Sequence, residues 1–138
     1  MTVKTLPRNV WQRILGIPET KRPHDTACWS VSDGRIIVDL TRAPELSQPF
    51  GAIRIEGKAT SERVLVFRDG AGNFRAVCNR CGHAGRRLDP VPGTETIQCC
   101  SMGHSTYDYD GKVVSEAAVK PVRPYRVRTE GTRLIIDL

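Results

Sequence analysis

The 138-residue chain has no run of 18 or more apolar residues, which argues against a membrane-spanning helix. Its first twenty residues carry scattered charges, and Pro7 stands where the apolar part of a secretory signal would lie. We therefore expect a soluble, cytoplasmic protein without a membrane span.

Cysteine is also scarce, with five in the chain, and four of these lie between Cys78 and Cys100. They are too few and too closely grouped for the disulfide framework of a small secreted domain. Reduced thiols with a local function agree better with this distribution, and they agree with a cytosolic location.

Aromatic residues make up only 6% of the chain, and its lysines and arginines are spread along the sequence despite a net charge of +6. A protein that binds single-stranded nucleic acid needs basic residues interleaved with aromatic ones. We therefore expect no nucleic-acid partner. The positive charge favours a protein partner whose docking surface is acidic.

From Cys28 onward the chain consists of short β-rich runs, such as RIIVDL, RVLVF and RLIIDL, separated by turn residues such as Asp33-Gly34 and Asp69-Gly70. A chain of this length has room for one core. Many short strands at close spacing predict an all-β, antiparallel sandwich or small barrel.

Residues 1–27 show a different pattern. Val10, Trp11, Ile14 and Leu15 fall at helical spacing, and Gly16 and Pro18 end that pattern. We predict an N-terminal extension with a short helix over residues 1–27, followed by a single domain over residues 28–138.

Two short stretches place thiols and imidazoles close together. The sequence CNRCGHAGRRLDP contains Cys81 and His83 with one residue between them, and QCCSMGH contains Cys99 and Cys100 shortly before His104. The spacer from His83 is 15 residues to Cys99 and 16 residues to Cys100. Thiolate and imidazole are typical ligands of transition metals, so the two stretches together predict a metal site.

This pattern resembles the Rieske family of [2Fe-2S] proteins, whose motif is C-x-H, a spacer of about that length, and C-x-x-H. The stretch GHAGRRLDPVPG is similar to the family's first cluster loop, and YDYDGKVV is similar to the strand and turn that follow the second. The resemblance implies that Cys81 and Cys100 bind one iron as thiolates, whereas His83 and His104 bind the other through imidazole. It further implies a Rieske-type antiparallel β-sandwich with a cluster-binding subdomain of two loops.

The implied function is electron transfer through a [2Fe-2S] cluster, as a small ferredoxin-like carrier or redox subunit that is not itself an enzyme. Its partner would be a reductase or an oxygenase. Ser105 and Tyr107 occupy positions where family members have hydroxyl groups hydrogen-bonded to the cluster, which favours the reduced form. The positive charges of Arg80, Arg86 and Arg87 would act in the same direction.

One departure concerns the second loop. When Tyr107 and Asp108 are set on the family's F/Y-D pair, Cys100 falls on the ligand cysteine, but His104 lies one place later than the family's histidine. Cys99 therefore stays open as the second thiolate ligand, and ligation by His104 requires a local rearrangement, for which Gly103 supplies the conformational freedom.

Two other functions remain open. Cys78 and Cys81, with Cys99 and Cys100, offer four thiolates for zinc, although two adjacent cysteines make a poor second pair of ligands. Alternatively, the chain is a degenerate Rieske fold that acts as a non-redox interaction subunit.

Overall fold

A computed structural model of the chain describes residues 20–80, 85–100, 105–114 and 120–138. The helix predicted around residues 10–15 lies outside these ranges. The strands formed within them are β1 (Trp29–Ser32), β2 (Arg35–Asp39), β3 (Ala52–Ile55), β4 (Val64–Arg68), β5 (Phe74–Cys78), β6 (Leu88–Val91), β7 (Thr96–Cys99), β8 (Thr106–Asp108), β9 (Pro124–Glu130) and β10 (Arg133–Asp137). Two 3-10 turns, Leu40–Arg42 and Pro44–Leu46, connect β2 to β3.

Seven strands form one antiparallel sheet in the order β1-β2-β10-β9-β5-β4-β3. Strand β9 joins its two halves, because Pro124 and Tyr125 pair with β5 whereas the stretch from Arg126 to Glu130 pairs with β10. The sheet curls so that these halves face each other across a buried apolar core. That core includes Ile36, Val38, Leu134 and Ile136 from one half and Ile53, Ile55, Val64, Val66 and Ala76 from the other. The predicted all-β, antiparallel sandwich is thereby confirmed.

Strand β4 is buried on both of its faces, which explains why its sequence VLVF is a continuous apolar run. Val64 and Val66 point into the first core. Leu65 and Phe67 alternate with them and belong to a second core. A small antiparallel sheet, in the order β6-β7-β8, covers this second core and contributes Leu88, Ile97 and Tyr107 to it.

The predicted turns are present where the sequence places them. Asp33 and Gly34 connect β1 to β2 with positive φ angles of 51° and 74°, the combination that two-residue hairpins require. Gly131, with φ of 60°, and Thr132 connect β9 to β10. After β8, an isolated bridge joins Tyr107 to Val113.

The chain just before β1 is attached to both sheets. The amide of the buried Thr20 donates to the Asp89 carboxylate of β6 at 2.7 Å. One residue further, the Lys21 carbonyl accepts from the Arg54 amide of β3 at 3.0 Å. Residues 20 and 21 therefore connect the small sheet to the edge of the large one. Within the described ranges, no helix is long and apolar enough to cross a bilayer.

Candidate metal centre

Of the four predicted ligands, the structure describes Cys100, whereas Cys81, His83 and His104 lie outside the described residues. Cys100 directly follows the last residue of β7 and is fully buried. Its amide donates to the Arg87 carbonyl at 3.0 Å, and Arg87 directly precedes β6. The small sheet thus holds Cys100 beside the chain that returns from the stretch containing Cys81 and His83.

The two adjacent cysteines have different surroundings. Cys99 is fully buried in the second core with Leu88 and Ile97, whereas Cys100 belongs to neither apolar core. Successive side chains of an extended segment point in opposite directions, so Cys100 points away from the second core. Cys99 therefore has the surroundings of an ordinary buried cysteine, which favours Cys100 as the ligand.

The same arrangement argues against the four-cysteine zinc site. Cys78 packs against the first core, and Cys99 lies in the second, on the opposite face of the β4-β5 pair. Two thiolates separated by a sheet cannot share one tetrahedral zinc ion, whose sulfur ligands lie about 2.3 Å from the metal.

Ser105, the first described residue after Cys100, is fully buried, and its hydroxyl oxygen has no hydrogen-bond partner among the described residues. Its carbonyl accepts from the Cys99 amide at 2.7 Å, which fixes its position. A buried polar group without a partner costs about 1–3 kcal/mol, and folded proteins retain few of them. The hydroxyl therefore suits an acceptor that the protein binds. A [2Fe-2S] cluster supplies such an acceptor, since its sulfur atoms accept hydrogen bonds, and the buried thiol of Cys100 supplies a ligand of the right kind.

An ion pair between Arg87 and Glu56 stabilises the start of β6. The guanidinium of Arg87 donates from Nε and Nη2 to the two carboxylate oxygens of Glu56, at 2.9 and 2.6 Å. Glu56 also accepts from Nη1 of Arg54 at 2.7 Å. The hydrogen bonds from Arg87 hold the pKa of the Glu56 carboxyl below its usual value, although burial opposes this. Arg87 has its pKa raised, chiefly by Glu56 and in part by the nearby Cys100.

A second arginine, which no sequence motif singles out, binds the backbone at the two ends of the first loop. Arg63 donates from Nε and Nη2 to the Asn79 carbonyl at 3.2 and 2.8 Å, and from Nη2 to the Gly85 carbonyl at 2.5 Å. Burial lowers the pKa of Arg63 most, and the neighbouring charges of Arg80 and Arg87 lower it further. No motif signals this role, because Arg63 precedes an apolar run and its contacts are 16 and 22 residues distant.

Comparison with known proteins identifies the family. The sequence model of the Rieske [2Fe-2S] domain matches residues 40–126, more than half of the chain. The chain therefore belongs to the Rieske [2Fe-2S] family. A domain of this family binds a [2Fe-2S] cluster and supports electron transfer through it, so the predicted family, fold and cofactor are confirmed.

Individual relatives agree with this assignment. The cytochrome b6-f complex iron-sulfur subunit of Chlorobaculum tepidum is 26% identical over 104 residues, which are 75% of this chain. The chain covers only 56% of the length of that relative.

Solved structures show the same fold. The ferredoxin of carbazole 1,9a-dioxygenase from Nocardioides aromaticivorans IC177 matches with a TM-score of 0.57 at 24% identity, over 67% of this chain and 90% of that protein. The plasma membrane Rieske protein PetC3 from Synechocystis PCC 6803 matches with a TM-score of 0.53 at 20% identity, over 64% and 87% of the two chains.

Proposed function

We propose that this chain is a small electron carrier or the redox subunit of an oxidoreductase system, and that it acts in the cytoplasm. The observation that carries the proposal is that the second loop of this Rieske domain has a buried Cys100 and a buried Ser105 whose hydroxyl has no hydrogen-bond partner among the described residues. The likeness in fold to a dioxygenase ferredoxin is consistent with a carrier, as an analogy of fold.

The proposed ligands are Cys81 and Cys100 as thiolates and His83 and His104 as imidazoles. When bound, the cluster supplies a site that accepts and releases one electron at a potential raised by its histidine ligands. Two groups of the protein itself would influence the reduction potential of this cluster. The Ser105 hydroxyl can donate to sulfur, and the fixed charge of Arg87 lies close to Cys100. Both groups favour the more negative, reduced state.

A reductive titration tests this function directly. Protein reconstituted with iron and sulfide should take up one electron per chain and return it reversibly to an oxidant. A chain that accepts no electron, or that retains zinc instead of iron, would support the non-redox interaction subunit instead.

The partner proposed for this carrier has an acidic docking surface, and the arginines around Glu56 form the matching surface on this chain. Arg87 and Arg54 are bonded to Glu56, and Arg22 is close enough to lower the pKa of that carboxyl as well. Arg63 and Arg80 complete the group, which we call the Glu56 arginine cluster. Four of these arginines act on the single Glu56 carboxylate and Arg80 lies near Arg63, so the cluster has an excess of positive charge, which would steer an acidic partner towards the first loop.

Small inorganic oxidants of opposite charge can probe that surface without knowledge of the partner. Added salt should slow the oxidation of the reduced protein by hexacyanoferrate(III), which is an anion, and should accelerate its oxidation by hexaamminecobalt(III), which is a cation. The double variant Arg22→Gln/Arg80→Gln should weaken both effects. The control Arg128→Gln/Arg133→Gln removes two arginines that pair with Glu130 at the β9-β10 turn, and it should leave both effects close to those of the parent protein. Salt effects of equal sign for the two oxidants would contradict a positive docking surface.

A further inference from the structure

The side chain of Arg63 joins the two ends of the stretch that carries Cys81 and His83. Its hydrogen bonds to Asn79 and Gly85 lie on either side of residues 80–84. Because a guanidinium is planar and its donors are fixed relative to one another, it sets the separation and orientation of the two carbonyl groups it binds. One side chain thus fixes the distance between the ends of this stretch.

Further hydrogen bonds tie the same two ends to the strands. The Asn79 amide donates to the Arg63 carbonyl at 2.7 Å, so Arg63 and Asn79 are joined through backbone and side chain alike. Asn79 is 1% exposed, and its side-chain oxygen accepts from the Leu88 amide at 2.6 Å, at the start of β6. The stretch therefore leaves β5 and returns to β6 through positions that are both held in place.

The charge of Arg63 is placed where it has little compensation. Its side chain is half-buried, and among the described residues no carboxylate lies within ion-pair distance of it. Burial and the charges of Arg80 and Arg87 lower its pKa, although the nearby Glu56 carboxylate opposes this. A partly buried cation without an ion pair is costly, so the two carbonyls are its main hydrogen-bonding partners.

We propose that Arg63 is a positioning residue: by binding the Asn79 and Gly85 carbonyls it fixes the two ends of the first cluster loop, and this supports metal binding by Cys81 and His83. The proposal rests on the proposed function, since it assumes that this stretch binds the cluster. Its structural part, the closure of the stretch by Arg63, holds for the chain without metal and can be tested there.

The chain provides a matched control at the other end of β4. Arg68 also bridges two backbone carbonyls, because its Nε donates to Gly72 at 3.0 Å and its Nη1 donates to Ser47 at 2.9 Å. The variants Arg63→Lys and Arg68→Lys both retain the charge and lose the planar fork. They differ in which carbonyls lose the arginine: those of Asn79 and Gly85 in Arg63→Lys, and those of Gly72 and Ser47 in Arg68→Lys.

Hydrogen exchange of the metal-free protein tests the closure. In Arg63→Lys, the Asn79 and Leu88 amides, which donate to the Arg63 carbonyl and the Asn79 side chain, should exchange about tenfold faster, since hydrogen bonds from a charged donor contribute about 1.5–3 kcal/mol. In Arg68→Lys the same amides should exchange at the parental rate. Equal exchange in the two variants would overturn the proposal.

Iron release from the reconstituted protein tests the consequence for the metal. Arg63→Lys should lose iron to a chelator about tenfold faster than the parent, which is the usual scale for a residue that supports metal ligands. The reduced-state EPR lines of Arg63→Lys should also shift or broaden, whereas those of Arg68→Lys should not. Parental iron release and parental EPR lines in Arg63→Lys would mean that charge alone suffices and would overturn the proposal. A parent protein that binds no cluster would instead refute the proposed function, with the exchange result still valid.

Discussion

Ser105 is the most informative single residue of the candidate site. Its hydroxyl is buried without a partner among the described residues, although the adjacent Thr106 hydroxyl accepts from the side-chain amide of Gln98 (Nε2) at 3.2 Å. The two neighbouring buried hydroxyls thus differ in whether a described residue supplies a hydrogen-bond partner. This difference yields a test: loss of the Ser105 hydroxyl should leave the stability of the metal-free protein unreduced but should change the reduction potential of the metal-bound protein.

The variant Ser105→Ala should not reduce the unfolding free energy of the metal-free chain, since it removes a buried hydroxyl that has no hydrogen-bond partner among the described residues. In the reconstituted protein it should lower the reduction potential by roughly 50 mV, if a hydrogen bond to the cluster contributes about 1 kcal/mol to the reduced state. Thermal unfolding and redox titration measure the two effects. As a control, Thr106→Val should destabilise the metal-free chain, because it removes a satisfied hydrogen bond. A clear loss of apo stability in Ser105→Ala would show that the hydroxyl has a protein partner.

At the scale of elements, the ion pair between Glu56 and Arg87 joins the end of β3 to the start of β6. The Glu56 side chain is only 8% exposed. Its pKa is lower in the folded chain than the ordinary value of 4.5, so ionised Glu56 stabilises the folded state. That contribution is complete above about pH 4.5 and is lost as the pH falls through the folded-state pKa.

We therefore predict that Glu56→Gln is less stable than the parent at pH 7 by about 1.5–3 kcal/mol, the scale of a hydrogen-bonded charge pair. The two unfolding free energies should converge as the pH is lowered below 4.5. Urea unfolding of the metal-free proteins at several pH values measures this. Glu130→Gln is the control, since Glu130 is half-exposed in its pairs with Arg128 and Arg133 and should contribute little. Parallel pH curves for Glu56→Gln and the parent would contradict the account.

The turn after β8 depends on a glycine. Gly111 has a φ of 84°, and a Cβ there would collide with the Val122 carbonyl. The Val122 amide in turn donates to the Gly111 carbonyl at 2.8 Å, so the two chain segments are held in contact.

Gly111→Ala should destabilise the metal-free chain by more than 2 kcal/mol, because left-handed strain of about 1–2 kcal/mol adds to a backbone clash. The control Gly34→Ala has a similar φ of 74° with open space around it, and it should show the strain alone. Chemical denaturation compares the two variants, and equal losses would refute the predicted clash.

The strands of the large sheet were predictable because their apolar residues alternate or form short continuous runs, as in RIIVDL and RVLVF. The strands of the small sheet could not be predicted in this way. Strand β6 contains Asp89 and Pro90, and β7 contains Gln98, yet all three are buried. Their burial depends on partners distant in sequence, such as the Thr20 amide that satisfies Asp89. No local pattern encodes such contacts.

At the site, the ligand motif and the family could be predicted from the sequence, and the family in turn predicted the cofactor. The sequence also favoured Cys100 over Cys99, and the contrasting surroundings of the two cysteines agree with that prediction. The ligand roles of Cys81, His83, Cys100 and His104 remain predictions. The closure by Arg63 could not be foreseen, because it arises only when β4, the end of β5 and the chain before β6 meet.

At the scale of the whole molecule, the two cores share one pair of strands. Strands β4 and β5 present alternate side chains to the sandwich and to the small sheet, so the cluster-binding subdomain rests directly on the main core. The Glu56 arginine cluster places positive charge at the ends of the first loop, since Arg63 of that cluster binds Asn79 and Gly85. The molecule therefore combines a rigid support for two loops with a charged surface beside them.

The central claim is that the two loops hold two irons between a thiolate side and an imidazole side. EPR of the reduced, reconstituted protein tests it most directly, combined with iron and sulfide analysis of the parent and of Cys100→Ser. The account predicts two irons and two sulfides per chain, an average g value below that of clusters with only cysteine ligands, and loss of the cluster in Cys100→Ser. A signal typical of cysteine-only ligation, or full iron retention in Cys100→Ser, would contradict it.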